Sequence, residues 1–353
     1  MPDTLIWTGS YTADAGGNGA GIGALLARPD GSLEALGLAA ACESPSFLAV
    51  HPALPVVYAV HEHAQTLSAY RRTGSGIALE PLGEAWTAGA AACHVAVDPQ
   101  GRFLVVDCWG DGQVLLYELD ASGAIASRRA AEPSQDPYDA GRPSRAHAAL
   151  TLQDGRIMTT DLGHDLLRLW DYVPGEGLRH TQDVVLPMDS GPRHLVQHPG
   201  GTVFVVTEYS IEVAAVRAGA DGRFELAAMG PAGAAEASDG DAAAEIALSP
   251  DGRHAYVGVR GSNRICTMRI SDGRAGDGRA GDGGTRLEPV ADTPSGGDWP
   301  RHHLVREGWL HVAHERSNDV VTFRLDPESG LPAGPAGRLE TGSPTALIVG
   351  GGA

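Results

Sequence analysis

The chain has 353 residues, 42% of them hydrophobic, and a formal net charge of −18, so it can bury a large core. That charge argues against nucleic acid or an anionic membrane surface as a partner. All 26 basic side chains of the Lys+Arg count are arginine, which excludes Schiff-base chemistry, a lysine general base and a Walker-type phosphate loop.

Met1–Trp7 has neither the basic start nor the apolar stretch of a signal peptide. Leu5–Thr8 and Gly21–Ala27 read as the outer strands of an incomplete sheet. From Ser44 a phrase recurs: a small or polar start, an alternating apolar strand, a tight turn, a second apolar strand and a polar loop. Its copies are SPSFLAVHPALPVVYAV from Ser44, CHVAVDPQGRFLVVDCW from Cys93 and AHAALTLQDGRIMTTDL from Ala146. RHLVQHPGGTVFVVTEY from Arg193, AEIALSPDGRHAYVGVR from Ala244 and RHHLVREGWLHVAHERS from Arg301 complete the set. Their spacing of roughly 45 to 55 residues lies in the range of propeller blades.

The turns have a physical reading. In Asp98–Gly101 (DPQG) and Ser249–Gly252 (SPDG) the proline fixes φ and the glycine accepts φ > 0. A third strand and a more variable fourth, such as Phe224–Ala227, follow in each copy, and long helical periodicity is absent. Low-complexity stretches at Pro231–Ala244 and Asp272–Gly284 fall between the copies and read as flexible surface loops between blades. Thr345–Val349 reads as a lone inner strand that joins the N-terminal pair, closing the ring and removing the free edges of a linear array. The expectation is an all-β, seven-bladed propeller forming one domain over residues 1–353, its last blade built from both termini.

In such a ring the innermost strands line a channel, and two sets of loops open at one mouth. The loops leading into inner strands carry His94, His147, Arg193, His194, Arg301 and His302. The loops leaving second strands carry Glu62, Asp107, Trp109, Asp161, Glu208, Arg260 and His314–Glu315–Arg316. Their recurrence marks a polar pocket. The plainer alternative is that some tie blades together, with Glu62 and Asp161 as acceptors. His51 and His198, in His-Pro turns on the other face, read as structural. The pairs His61/His63 and His302/His303 lack a convergent third ligand, so neither metal nor cofactor is expected. Cys42, Cys93, Cys108 and Cys266 are widely separated and read as reduced thiols of a cytoplasmic protein.

Gly191-Pro-Arg-His194, His94-Val-Ala-Val-Asp-Pro-Gln-Gly-Arg102, Ala146-His147, Glu208 closing its strand and the segment Thr8–Thr12 (TGSYT) resemble the lactonase family of seven-bladed propellers. That family includes propeller-type 6-phosphogluconolactonase and the fungal 3-carboxy-cis,cis-muconate lactonizing enzyme. The resemblance implies His147, Arg193, Glu208 and Arg260 as catalytic residues, with His94, His194, Glu62, Arg301 and His302 around the substrate. Departures occur where relatives commonly show Asn-Glu (here His61-Glu62 and Thr207-Glu208) and Ala-Asn-Tyr-Gly (here Asp107-Cys108-Trp109-Gly110). The function implied is hydrolysis of a small sugar-acid lactone without a cofactor. Glu208 and His147 both qualify as base, and Arg193 and Arg260 as donors to a carbonyl or carboxylate. Arg301, Arg316 and His302 are the candidates for holding a phosphate. A cycloisomerase and a non-catalytic binding scaffold are the alternatives. No Gly-x-Ser-x-Gly elbow supports a serine nucleophile.

Overall fold

The computed structural model describes residues 2–272 and 285–351. Seven antiparallel sheets follow one another in chain order, here blades A to G. Blade A joins Pro344–Val349 as inner strand to Thr4–Ser10, Gly21–Ala27 and Leu33–Ala41. The inner strands of blades B to G are Pro45–Val50, Ala92–Val97, Ala146–Thr151, Pro192–Gln197, Ala242–Leu248 and Pro300–Arg306. The closing pair registers Trp7 on Ile348 and Thr8 on Leu347, so the two termini complete one sheet as the sequence predicts. The run expected between blades at Asp272–Gly284 lies, from residue 273 onward, outside the described residues. Asp272 pairs with Thr285, however, so the run joins the third and fourth strands of blade F and does not separate two blades. The other expected loop is shorter than Pro231–Ala244: Pro231 ends an outer strand and Ala242 opens the inner strand of blade F. Its small residues are needed there, because Ala243 and Ala244 are fully buried against the neighbouring blade.

The core lies between blades. Second and third strands alternate Val, Leu, Ile, Tyr and Phe so that each sheet has two apolar faces, and each face packs on the next sheet. Across the face opposite the pocket, one blade's His-Pro turn packs on the next blade's turn. His51 Nδ1 accepts the Ala53 and Leu54 N–H groups (3.1 and 3.0 Å), and its ring lies against Gly101 of blade C. His198 accepts Gly200 N–H and its Nε2 meets Gly252 O at 3.1 Å. Both histidines are therefore structural, as expected. Gly101 has φ +70° and a Cβ there would stand 2.3 Å from His51 Nε2. Gly101→Ala thus combines left-handed backbone strain with a clash and should lower stability by about 2 kcal/mol or more. An unchanged melting temperature would show that this inter-blade lock is not needed.

Every inner strand carries one extra residue where it enters the sheet. Ser46, Cys93, His147, Arg301 and Thr345 are passed over by the pairing of their blades. In blades E and F two residues, Arg193–His194 and Ala244–Glu245, face one partner. A bulge breaks the alternation of side chains and re-aims the extra one. At three of these bulges the re-aimed side chains are His147, Arg193 and Arg301, which enter the mouth, whereas Cys93 Sγ lies against Ala146 O and His147 O of the next blade. Among the described residues no helix is long and apolar enough to cross a membrane.

Candidate active site

Glu208 is the hub of the mouth. Its Oε2 lies 2.8 Å from Arg193 Nε and 2.8 Å from Arg260 Nη2. Arg193 reaches it from the bulge of blade E, and its Nη1 donates to Ala244 O of blade F at 2.8 Å. Thr160 of blade D supports the same bulge by donating to Arg193 O (2.8 Å). Arg260 comes from the end of the second strand of blade F, donating to Ala242 O and Ala243 O (3.2 and 3.1 Å). Burial and the Arg260 charge push the Arg193 pKa down to about 10. Burial would raise the Glu208 carboxyl, but Arg260 and Arg193 outweigh it and hold the group below the usual carboxylate range.

His147 stands beside this cluster, its ring centre 5.2 Å from that of His194. Burial, then the charges of Arg193 and the neighbouring rings, depresses its pKa well below the ordinary histidine value, so it is neutral. Its Nδ1 is buried without a hydrogen-bond partner. Among the described residues no carboxylate is paired with it.

Beneath, a ring of aromatics closes the channel. Phe47 packs on His94, His194 and His302 with centres 4.4, 5.7 and 5.7 Å away. Glu245 Oε2 ties His194 Nδ1 (2.7 Å) to His302 Nε2 (3.2 Å). His302 Nδ1 accepts Leu347 N–H at 3.3 Å, which leaves the proton on Nε2, facing Glu245. Ala149 N–H donates to His94 Nδ1, and Asp107 lies 3.5 Å from that same atom. Burial raises the Asp107 carboxyl, with the His94 contact opposing.

Arg301 forms the third part. It donates to Tyr11 OH (2.7 Å) and Glu315 Oε2 (3.2 Å), and Tyr11 OH donates to Glu62 Oε2 (2.9 Å). Glu62 is thus an inter-blade acceptor, joining blade B to blade A, as well as a member of the mouth. Burial works against the charge of Arg301, but Tyr11 and Glu315 raise its pKa.

The structure accordingly brings together His94, His147, Arg193, His194, Glu208, Arg260, Arg301, His302 and Glu62. Other members of the two expected sets stand elsewhere. Asp161 accepts Ser144 Oγ (2.6 Å) and the N–H groups of Arg145 and His164, pinning the loop into blade D. His314 is fully buried with Asp319 at 2.8 Å. Trp109 is half-exposed under Arg145, 4.2 Å from its ring centre. The histidine pairs diverge: His61 bonds Glu43 O and Ser68, whereas His63 is exposed; His303 bonds Tyr256 O while His302 faces Glu245. Sequence reasoning misses Glu245, Tyr11, Phe47 and Trp299. Glu245 was findable, since Glu245-Ile-Ala-Leu-Ser-Pro matches His94-Val-Ala-Val-Asp-Pro position for position.

A sequence model of the family described as lactonase, 7-bladed beta-propeller, matches residues 5–349. The chain belongs to this lactonase family. It is 26% identical over 308 residues to the 6-phosphogluconolactonase of Bacillus subtilis, 83% of each chain being covered. The solved periplasmic gluconolactonase of Pseudomonas aeruginosa superposes with TM-score 0.86 at 23% identity, covering 99% of both chains. A protein from Lactobacillus plantarum superposes with TM-score 0.85 at 22% identity and the same coverage. At that identity the two structures speak to the fold of a lactonase propeller.

Proposed function

We propose that this lactonase-family protein hydrolyses a sugar-acid lactone of the kind opened by 6-phosphogluconolactonases, as a cytoplasmic enzyme of carbohydrate metabolism. The observation that carries the reading is one carboxylate gripping two buried guanidinium groups beside a neutral, unpaired histidine at a closed channel mouth. The Bacillus relative supports a phosphorylated sugar lactone as substrate. Four unpaired cysteines, three of them buried, agree with a reducing compartment.

Arg193 and Arg260 present donors to the lactone carbonyl, where negative charge develops as water adds. Glu208 holds the two like charges together and is a poor base, because both arginines stabilise its ionised form. His147 is the base: it is neutral beside the two guanidinium groups, and no ion pair among the described residues occupies its ring. Water oxygen bonds to the carbonyl carbon, its proton passes to His147, and the ring C–O bond then breaks. The proton returns to the departing alkoxide, giving the open hydroxy acid. No cofactor enters this balance.

The test is pH-stat hydrolysis of phosphorylated and unphosphorylated sugar lactones and muconolactones, with spontaneous opening subtracted. Turnover of a sugar lactone, with solvent oxygen-18 appearing in the acid, is expected. Absence of turnover across the panel would overturn the reading. Ring opening without solvent oxygen would replace hydrolysis by cycloisomerisation.

A further inference from the structure

The charges inside the mouth are already matched. Arg193 and Arg260 share Glu208, and Arg301 faces Glu315 and, through Tyr11, Glu62. Glu245 adds a further carboxylate below them, held by neutral histidines whose pKa values burial depresses. A phosphate dianion placed at this depth would meet four carboxylates against three guanidinium groups, in a low-dielectric setting where such repulsion is strong. Arg301 and His302, two of the three residues expected to hold a phosphate, are therefore committed to protein partners.

Arg316 is different. It is exposed, its guanidinium carbon lies 3.4 Å from the ring centre of Trp299, and among the described residues no carboxylate pairs with it. Arg145, which likewise stacks on a tryptophan, spends its guanidinium on Trp109 O and Gly110 O. Stacking leaves the in-plane N–H fork of Arg316 available to an anion.

Trp299 is held in place at a conformational cost. Its φ is +66°, a left-handed value rare for a bulky residue, and it directly precedes Pro300, which disfavours helical geometry on either side. Its N–H donates to Asn263 Oδ1 (2.8 Å) and its carbonyl accepts Glu315 N–H (3.1 Å). Ser44, Ala91, Gly191 and Ser343 are left-handed at the same point before their own inner strands, so the conformation belongs to the repeat and Trp299 is the bulky side chain that it places at this rim. The same indole faces Arg260, whose guanidinium carbon is 5.4 Å from the ring centre. Trp299 thus contacts both a donor for the lactone carbonyl and an uncommitted guanidinium nearer to solvent.

We propose that Arg316, stacked on Trp299, is the subsite for the phosphate monoester of a phosphorylated sugar lactone. This rests on the lactonase reading above. Arg316 selects substrate and takes no part in the bond changes.

Initial rates on 6-phosphogluconolactone and glucono-δ-lactone should be compared for the wild type, Arg316→Ala, Arg316→Lys and Trp299→Phe. The wild type should prefer the phosphorylated lactone. Arg316→Ala should reduce the ratio of the two kcat/KM values about tenfold or more, mainly through KM of the phosphorylated substrate. Lysine should recover part of the ratio, and Trp299→Phe should reduce it less than alanine at 316. An unchanged ratio in Arg316→Ala, or a wild type that opens only the unphosphorylated lactone, overturns the subsite and leaves the lactonase reading standing. If the wild type opens neither lactone nor any other of the panel, both fall together.

Discussion

Glu208→Gln is expected to lose lactone turnover and stability together, whereas His147→Gln should lose turnover alone. The difference follows from what each side chain leaves behind. Removing the Glu208 charge strands Arg193 and Arg260, both buried and both within 2.8 Å of the same oxygen, with no anion between them. Breaking a buried ion pair from one side costs about 3–5 kcal/mol. The misplaced donors would also reduce kcat by about a hundredfold or more. His147 makes no ion pair and its Nδ1 has no partner, so an isosteric amide leaves no orphaned charge. Loss of a general base alone is worth about 10²–10⁴ in rate. Circular dichroism melts and pH-stat rates on both variants separate the two effects. Full activity in His147→Gln would remove it as the base. A Glu208→Gln protein as stable as wild type would show that the arginines do not need their shared carboxylate.

The second large effect is acid lability. Burial pushes His302 and His311 down to about 4 and depresses His147, His194 and His303 as well. The unfolded chain takes up these protons below pH 6.5, the ordinary histidine value, while the folded chain refuses them. Stability is therefore fully present above that pH and falls as the pH is lowered towards the folded pKa values. At pH 5 His302 and His311 each cost about 2 kcal/mol, a large part of the ~5–15 kcal/mol by which a domain is ordinarily stable. His147, His194 and His303 add losses in the same direction. Glu208, whose carboxyl is depressed, adds a loss in the same direction below its ordinary value of 4.5. Urea midpoints at pH 7.5, 6 and 5 should decline steeply. A flat profile over that range would mean that the floor histidines are already charged, and the tautomers assigned around Glu245 would be wrong.

How far the site was legible depends on the kind of signal each residue leaves. His147, Arg193, Glu208 and Arg260 stand at equivalent points of a repeat, so aligning the copies places them on one rim. Tyr11 carries no such mark: it sits in a short loop of blade A and enters the mouth only because Arg301, 290 residues away, donates to it. Trp299 holds a left-handed position that also precedes the inner strands at Ser44, Ala91, Gly191 and Ser343, but only the fold shows that its indole lies between Arg260 and Arg316. Asp161 shows the opposite failure. It occupies a rim position by alignment, yet Ser144, Arg145 and His164 of its own blade's loops claim its oxygens.

The propeller itself was written in local terms. Alternating apolar strands, Pro-Gly turns and a lone C-terminal strand matching an N-terminal pair are properties of neighbouring residues, set by sterics and burial. These determined seven blades, their closure and the face on which titratable side chains collect. Only the tertiary structure decided which of those side chains share a proton or a charge. In each blade an extra residue at the head of the inner strand overrides the two-residue alternation, and its direction is fixed by the adjoining blade. Two arginines meeting on Glu208, two histidines on Glu245 and a third arginine between Glu315 and Tyr11 are consequences of those bulges, in which the strand pattern has no say.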